Sequence, residues 1–401
     1  MSSCVIIIEN LPAPADRRVW QEACALRDSG WKVSIICPRT VKYPKAEEVI
    51  EEIHIFRHPL PLEASGKLGF LLEYGSALFF ELIYLTKVLR KRGFDVIQAC
   101  NPPDLIFIPV LPFKLMGKRF VFDHHDVCPE LFAVKFNGKG WLHKGLLLAE
   151  RATFRLADLV ISANETYRQI AISRGGKKPE DVVAVYSVPD TRRIHRVAPD
   201  PALRKGVRVV IGYIGVIADQ DGVDHMVRCI AHLVQHHGVK DIGGLVIGDG
   251  PSLDKVKTLA AELGIADHIT FTGFLSGDAL LSALSSIDIG MIPDPPNPYN
   301  DKVSMNKVFE YSVLGIPPVS YDLQETRRLL GDAGSYAPSD DPEGLAAACL
   351  PLINDPDKLH TAAGAAAELA RRKFNWDNEA KAYTQAFSRF LPTGAAQTIR
   401  G

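Results

Sequence analysis

"CVIIIENLPAPADRRVWQEACALRDSGWKVSIICP" (residues 4–38) opens on a short β-branched run and passes through a helical stretch from about Arg17 to Ser29. It closes on a second β-branched run. Strand, crossover helix and strand form the unit that builds a parallel sheet with helices on both faces. Working outward, "FDVIQA" follows the helical "LIYLTKVLRKRG", "RFVFDHHD" precedes another helical region, and "ADLVISAN" follows that region. Around residues 186–207 the rhythm breaks in "YSVPDTRRIHRVAPDPALRKG", which is polar and rich in Pro and Arg. It then restarts with "VRVVIGYIG", "GGLVIGDGP", "HITFTGF", "IDIGMIP" and "IPPVSYD". The sequence therefore predicts an α/β protein of two Rossmann-like doubly wound domains, 1–190 and 206–372, joined by a linker at 191–205. In the tail, Trp376, Ala380, Tyr383, Phe387 and Phe390 recur at helical spacing, so 373–391 reads as a closing amphipathic helix.

The totals fit this division. A chain of 401 residues exceeds what one core usually organises, and 47% hydrophobic with 23% charged residues is ordinary for a globular protein. A net charge of -1 argues against a broad nucleic-acid surface. Seven scattered cysteines without CxxC spacing suit reduced thiols in a cytoplasmic chain. "MSSCVIIIEN" reads as a first strand rather than a signal peptide. No apolar stretch approaches the ~18–20 residues that cross a bilayer. The segment "KLGFLLEYGSALFFELIYLTKVLRKR" (67–92) ends in Lys87, Arg90, Lys91 and Arg92. It reads either as a core helix with a solvated basic end or as a peripheral contact with the inner face of an anionic membrane.

In doubly wound sheets ligands bind beyond the carboxyl ends of the strands. The loop after the first strand lacks GxGxxG but carries Asp16, Arg17 and Arg18 at a helix start. "CNPPD" brings Asp104 to the end of another strand, and "DHHD" brings His124, His125 and Asp126. A His–Asp pair there can position a substrate hydroxyl or donate to an oxyanion. Adjacent histidines on an extended chain point opposite ways and a metal needs further ligands, so no metal is assigned. Gly215, Gly248, Gly250 and Gly273 end successive strands, as plain turns or as the rim of a ligand site.

"DKVSMNKVFEYSVLGIPPVS" (301–320) reads as a short helix over 304–314, capped by Ser304 and ended by Gly315. Lys302, Asn306 and Glu310 are spaced by four, and Lys307 lies three before Glu310. Helix-start amides and two lysines suit phosphate, and an acid one turn further suits a ribose diol. The plainer alternative is a Lys–Glu pair on a solvated face.

Taken together, "NLPAPADRRVWQEACALRDSGWKVSIICP", "DVIQACNPPD", "VFDHHDVCPE", "GYIGVIADQDGVD", "VIGDGP", "FTGF", "IDIGMIP" and "NKVFEYSVLGIPPVS" resemble the family 4 glycosyltransferases, over nearly the whole chain. The resemblance is strongest to bacterial enzymes of cell-surface polysaccharide or glycolipid synthesis. It implies a GT-B fold with a central cleft and a retaining, metal-independent transfer of a hexosyl or N-acetylhexosaminyl group. It implies no cofactor, a nucleotide diphosphate sugar as co-substrate (UDP-linked first), and a saccharide or lipid-linked acceptor. By position it gives His125 and Asp126 the catalytic place. It gives the donor to Gly215, Gly248, Gly273, Phe274, Lys302, Ser304, Met305, Asn306, Lys307 and Glu310. The acceptor side falls to Asp16, Arg17, Arg18, Asp104 and His124.

Two departures stand out. The first member of the family's Glu-x7-Glu pair is Lys302, and the loop expected to carry Arg and Lys reads Asp219-Gln220-Asp221. One account is neutralisation of the diphosphate by Lys302 and Lys307, and the other is weakened catalysis. Two rivals remain: a sugar-nucleotide epimerase on the same architecture, and a catalytically silent nucleotide-sugar-binding subunit.

Overall fold

A computed structural model describes residues 2–59, 66–136, 138 and 140–391, and the side chains of these outside 66–74. The chain divides into two compact units, Met1–Ser187 with the chain from Asp377 onward, and Val188–Trp376.

The first unit holds an eight-stranded sheet. Its strands are β1 (Ser3–Ile7), β2 (Lys32–Pro38), β3 (Glu47–Ile50), β4 (Ile53–His58), β5 (Val96–Cys100), β6 (Arg119–His124), β7 (Leu159–Ser162) and β8 (Val182–Ala184). They lie in the order β3-β4-β2-β1-β5-β6-β7-β8, and only the β3–β4 pair is antiparallel. Side chains alternate across a strand, so β1 feeds two cores. Cys4 and Ile6 face one side with Val19 and Trp20 of α1 (Arg17–Asp28). Val5 and Ile7 face the other, with Leu85 and Val88 of α2 (Gly66–Lys91), Val110 and Phe113 of α3 (Phe107–Leu115), and Phe154 of α4 (Trp141–Leu156). Burial on both faces explains why these strands read as continuous apolar runs.

The second unit holds six parallel strands: β9 (Val209–Ile214), β10 (Ile242–Ile247), β11 (Ile269–Gly273), β12 (Ile289–Ile292), β13 (Pro318–Ser320) and β14 (Ser335–Tyr336). Their order is β11-β10-β9-β12-β13-β14. The helix α5 (Asn306–Val313) is fastened beneath β9 by Tyr311. The Tyr311 hydroxyl donates to the Gly212 carbonyl at 3.1 Å and accepts from the Ile214 amide at 3.1 Å. The polar stretch read as a linker is bound along this unit: the Val197 and Asp200 amides donate to Ser285 Oγ and Ser286 Oγ, and Arg196 Nε donates to the Leu314 carbonyl. The closing helix α6 (Trp376–Phe387) belongs to the first unit, where Tyr383 and Phe387 enter the core beside α1. Among the described residues, no helix is long and apolar enough to cross a membrane.

Candidate functional site

The site in the first unit grows from the carboxyl end of β6. Alternation puts Asp123 and His125 on one side of the chain and His124 on the other. The Asp123 side meets α1. Arg18 Nη2 donates to Asp123 Oδ1 at 2.9 Å, and its Nε lies 2.9 Å from His125 Nε2 and 3.1 Å from Glu22 Oε1. His125 Nε2 is also 2.9 Å from Asp123 Oδ2. Gln98, a polar residue in the apolar strand β5, donates to Glu22 and Asp123 and accepts from the Tyr383 hydroxyl. Burial works to raise Asp123, but Arg18 and His125 outweigh it and hold this carboxyl well below the usual range. Burial and the neighbouring Asp123 push Glu22 well up, so Glu22 keeps its proton while Asp123 is ionised. Cys100, Asp123 and His125 place three possible metal-ligating atoms within 4.8 Å of one another. Arg18 already occupies the same carboxylate and ring nitrogen, and its fixed positive charge disfavours a cation there.

Several acceptor-side expectations change here. His124 is fully buried among Phe122, Phe154 and Tyr167, and burial pushes it down to about 3, so it is a neutral core ring. Arg18 is a buried partner of His125 rather than a surface contact. Asp16 caps α1 by accepting from the Val19 amide at 2.9 Å, and Arg17 Nη2 reaches the Ser187 carbonyl. Asp104 is buried and accepts from Asn101 Nδ2 at 2.8 Å.

Asn101, which the sequence reading passed over, latches the loop that carries His125 and Asp126. Its Oδ1 accepts from the amides of His125 (2.7 Å) and Asp126 (3.1 Å), and its Nδ2 donates to the Asp126 carbonyl at 2.7 Å. Burial, with Glu150 nearby, pushes Asp104 behind it up to about 8. An acid raised by folding holds a proton that the unfolded chain has lost. The stability it gives is full below about pH 4 and is lost as pH rises to about 8, at about 1.4 kcal/mol per pH unit. Asp104→Asn keeps an acceptor oxygen for Asn101 and cannot ionise. Its denaturation midpoint should gain on the wild type between about pH 5 and about pH 8. Parallel curves would show that Asp104 is not protonated in the folded chain.

In the second unit the three glycines are laced together. The Gly215 amide donates to the Ile247 carbonyl at 3.1 Å, and the Gly248 amide to the Gly273 carbonyl at 3.0 Å. Gly248 has φ +143°, and a Cβ there would lie 1.9 Å from the Gly215 carbonyl oxygen. The close approach that requires glycine is thus loop against loop. Phe274 stands at this rim, 70% exposed. In the loop after β9, Asp219 accepts from Ser252 Oγ and Lys255 Nζ, and Asp221 Oδ2 accepts from the Ala218 amide.

The helix α5 departs from its sequence reading at its start. It begins at Asn306 behind Met305, and Ser304 caps nothing: its hydroxyl donates to Glu325 Oε1 at 3.1 Å. Lys302 lies in the preceding turn, with Nζ 2.5 Å from the Pro298 carbonyl, so only Asn306 and Glu310 share a helical face. Lys307 is buried, its Nζ 2.5 Å from Asp294 Oδ2 and 4.7 Å from the centre of the Tyr213 ring. Burial pushes the nearby Asp221 up to about 6 against the pull of Lys307. Lys307 is therefore an internal counter-ion, and the exchange of charges proposed for the two departures fails at this residue. Glu310, one turn further, is half-buried.

Residues 15–193 match the family profile described as Glycosyltransferase Family 4, and residues 208–355 the profile described as Glycosyl transferases group 1. A 2-deoxystreptamine glucosyltransferase of Streptomyces kanamyceticus is 36% identical over 67% of this chain and 72% of its own. A phosphatidyl-myo-inositol mannosyltransferase of Mycolicibacterium smegmatis is 30% identical over 92% of this chain and 88% of its own. Among solved structures, the sucrose-phosphate synthase of Thermosynechococcus elongatus superposes with TM-score 0.78 at 16% identity, covering 97% of this chain and 99% of that one. Anabaena HepE in complex with UDP-glucose superposes with TM-score 0.74 at 16% identity, covering 97% of this chain and 100% of that one. Two parallel-sheet domains of the GT-B type, with sequence relatives spanning most of both, make the conclusion plain: this chain belongs to the family 4 glycosyltransferases.

Proposed function

We propose that this glycosyltransferase is a retaining, metal-independent enzyme. It moves a hexosyl or N-acetylhexosaminyl group from a nucleotide diphosphate sugar, UDP-linked first, to an acceptor hydroxyl in cell-surface polysaccharide or glycolipid synthesis. The observation that carries the reading is the His125 ring at the end of β6, whose Nε2 accepts from Arg18 Nε beside the Asp123 carboxylate that Arg18 also holds. On this reading His125 acts on the transferred sugar through Nδ1, with Asp126 beside it. Attack comes from the face the diphosphate leaves, and the leaving diphosphate takes the acceptor proton. Helix-start amides at Met305 and Asn306, with Lys302, stabilise the charge that develops on it. Glu310 binds the ribose diol, and the rim at Gly273 and Phe274 takes the base. Support for the donor comes from HepE, solved with UDP-glucose. The mannosyltransferase relative, named for a phosphatidyl-inositol, supports a lipid-linked acceptor, with the enzyme at the cytoplasmic face of a membrane.

Calorimetric titration with UMP and UDP tests the donor side. A charged hydrogen bond contributes ~1.5–3 kcal/mol, so Glu310→Gln should weaken both ligands by roughly ten- to a hundred-fold. Lys307→Met should lower the stability of the second unit rather than act on the diphosphate alone, because it strands Asp294. Unchanged affinities in Glu310→Gln would remove Glu310 from the donor site.

A further inference from the structure

Three buried polar side chains gather on the α2 face of the first sheet, at the carboxyl ends of its strands. His58 lies two residues beyond Phe56 in β4, on the side that packs against α2. Glu9 lies two residues beyond Ile7 of β1, which faces the same side, and it reaches His58. Glu81 stands one turn before Leu85, on the same buried stripe of α2. The helix α2 is the crossover between the parallel strands β4 and β5 and runs back over the sheet. Its earlier turns therefore lie toward the carboxyl ends, where ligands bind in doubly wound sheets.

The hydrogen bonding of this group is one-sided. Glu81 is fully buried, and neither of its carboxyl oxygens has a partner. His58 is fully buried too. Its Nδ1 is 2.7 Å from the Pro59 carbonyl oxygen, which can only accept, so Nδ1 carries the ring proton. Burial pushes His58 down, so the ring is neutral and Nε2 is a lone pair. That lone pair faces Glu9 Oε2 at 3.5 Å, acceptor against acceptor. Burial first, and Glu9 second, push Glu81 well up. Buried acceptors of this kind call for a donor that the fold itself does not supply to Glu81 or to the His58 lone pair.

The chemistry of the gap selects the donor. An ammonium group brings three N–H donors and a positive charge, enough to bridge acceptors on three elements. A hydroxyl brings one donor and leaves carboxylate charge uncompensated. A single metal ion fits less well: among the described residues, only Cys100, Asp123 and His125 hold three ligating atoms within 4.8 Å of one another. We infer that Glu9, His58 and Glu81 form a subsite for a protonated amine on the saccharide acceptor. That the amine sits on the acceptor rests on the proposed transfer; that an amine is bound rests on these three side chains alone.

The test is calorimetric titration of the full chain, with UDP present, by glucosamine, galactosamine and a diaminocyclitol, each against its N-acetylated form. At least one amine should bind about thirty-fold or more tighter than its acetylated partner, the effect of truncating one side of a buried charge pair. Glu81→Gln keeps the size and removes the charge. It should abolish that preference while UDP binds as in the wild type, and its denaturation midpoint should not fall, because no protein partner is lost. Equal affinities of every amine and its acetylated form for the wild type overturn the inference, whether or not the variant folds. A preference that survives Glu81→Gln overturns it as well. So does Zn2+ binding that Glu81→Gln removes, which would make the cluster a metal site. Sugar transfer from UDP-glucose to the same compounds keeps the two proposals apart: amine binding without transfer sinks the catalytic reading alone, and transfer without amine preference sinks only this one.

Discussion

Arg18→Met should destabilise the first unit by about 3–5 kcal/mol, because it strands an ionised carboxylate in the core. Arg18 is 7% exposed, and its partners Asp123 and Glu22 are fully buried. A methionine fills the volume and satisfies none of them. Arg18→Lys keeps the charge but loses the planar fork that reaches Asp123, Glu22 and His125 together, so its loss should be intermediate. Denaturant titration of the three proteins reads the difference. A cost below about 1 kcal/mol for Arg18→Met would mean that Asp123 simply takes up a proton, and that Arg18 does not set its charge.

His125→Ala should lower turnover by ~100-fold or more while UDP affinity stays as in the wild type. The ring is partly exposed and its Nε2 is anchored, so its removal deletes a positioned group more than a packed one. His124→Ala is the contrasting change. It opens a cavity among three aromatic rings and should cost about 2–4 kcal/mol of stability, with turnover per folded molecule little altered. If His124→Ala has the lower turnover per folded molecule, the assignment between the two neighbours is reversed.

What the sequence disclosed was local. The α1 helix was legible as Arg17 to Ser29 because its helical pattern is written within a dozen residues. It runs from Arg17 to Asp28. The choice of His125 over His124 followed from the family resemblance; strand alternation puts the two rings on opposite sides of the chain, with His124 buried. What stayed hidden depends on partners brought together by the fold. Arg18 meets Asp123 across 105 positions, and Gln98 meets Tyr383 across 285. Two signals were present. Asp123 sits two before His125, hence on the same side of the strand, and Gln98 is a polar residue in a strand buried on both faces. Lys307 misled because helical spacing set it near Glu310, whereas its charge is matched by Asp294 in the loop after β12. Ser304 stood where a cap belongs, but Glu325 takes its hydroxyl.

The most direct measurement follows the anomeric proton by NMR when the purified protein is given a UDP-sugar and an acceptor alcohol. The account expects a glycoside that forms with the same anomeric configuration as the donor, together with released UDP, and no product with His125→Ala on the same timescale. An inverted glycoside would contradict the retaining mechanism. A donor returned with one sugar carbon epimerised and no glycoside would replace the transferase with the epimerase.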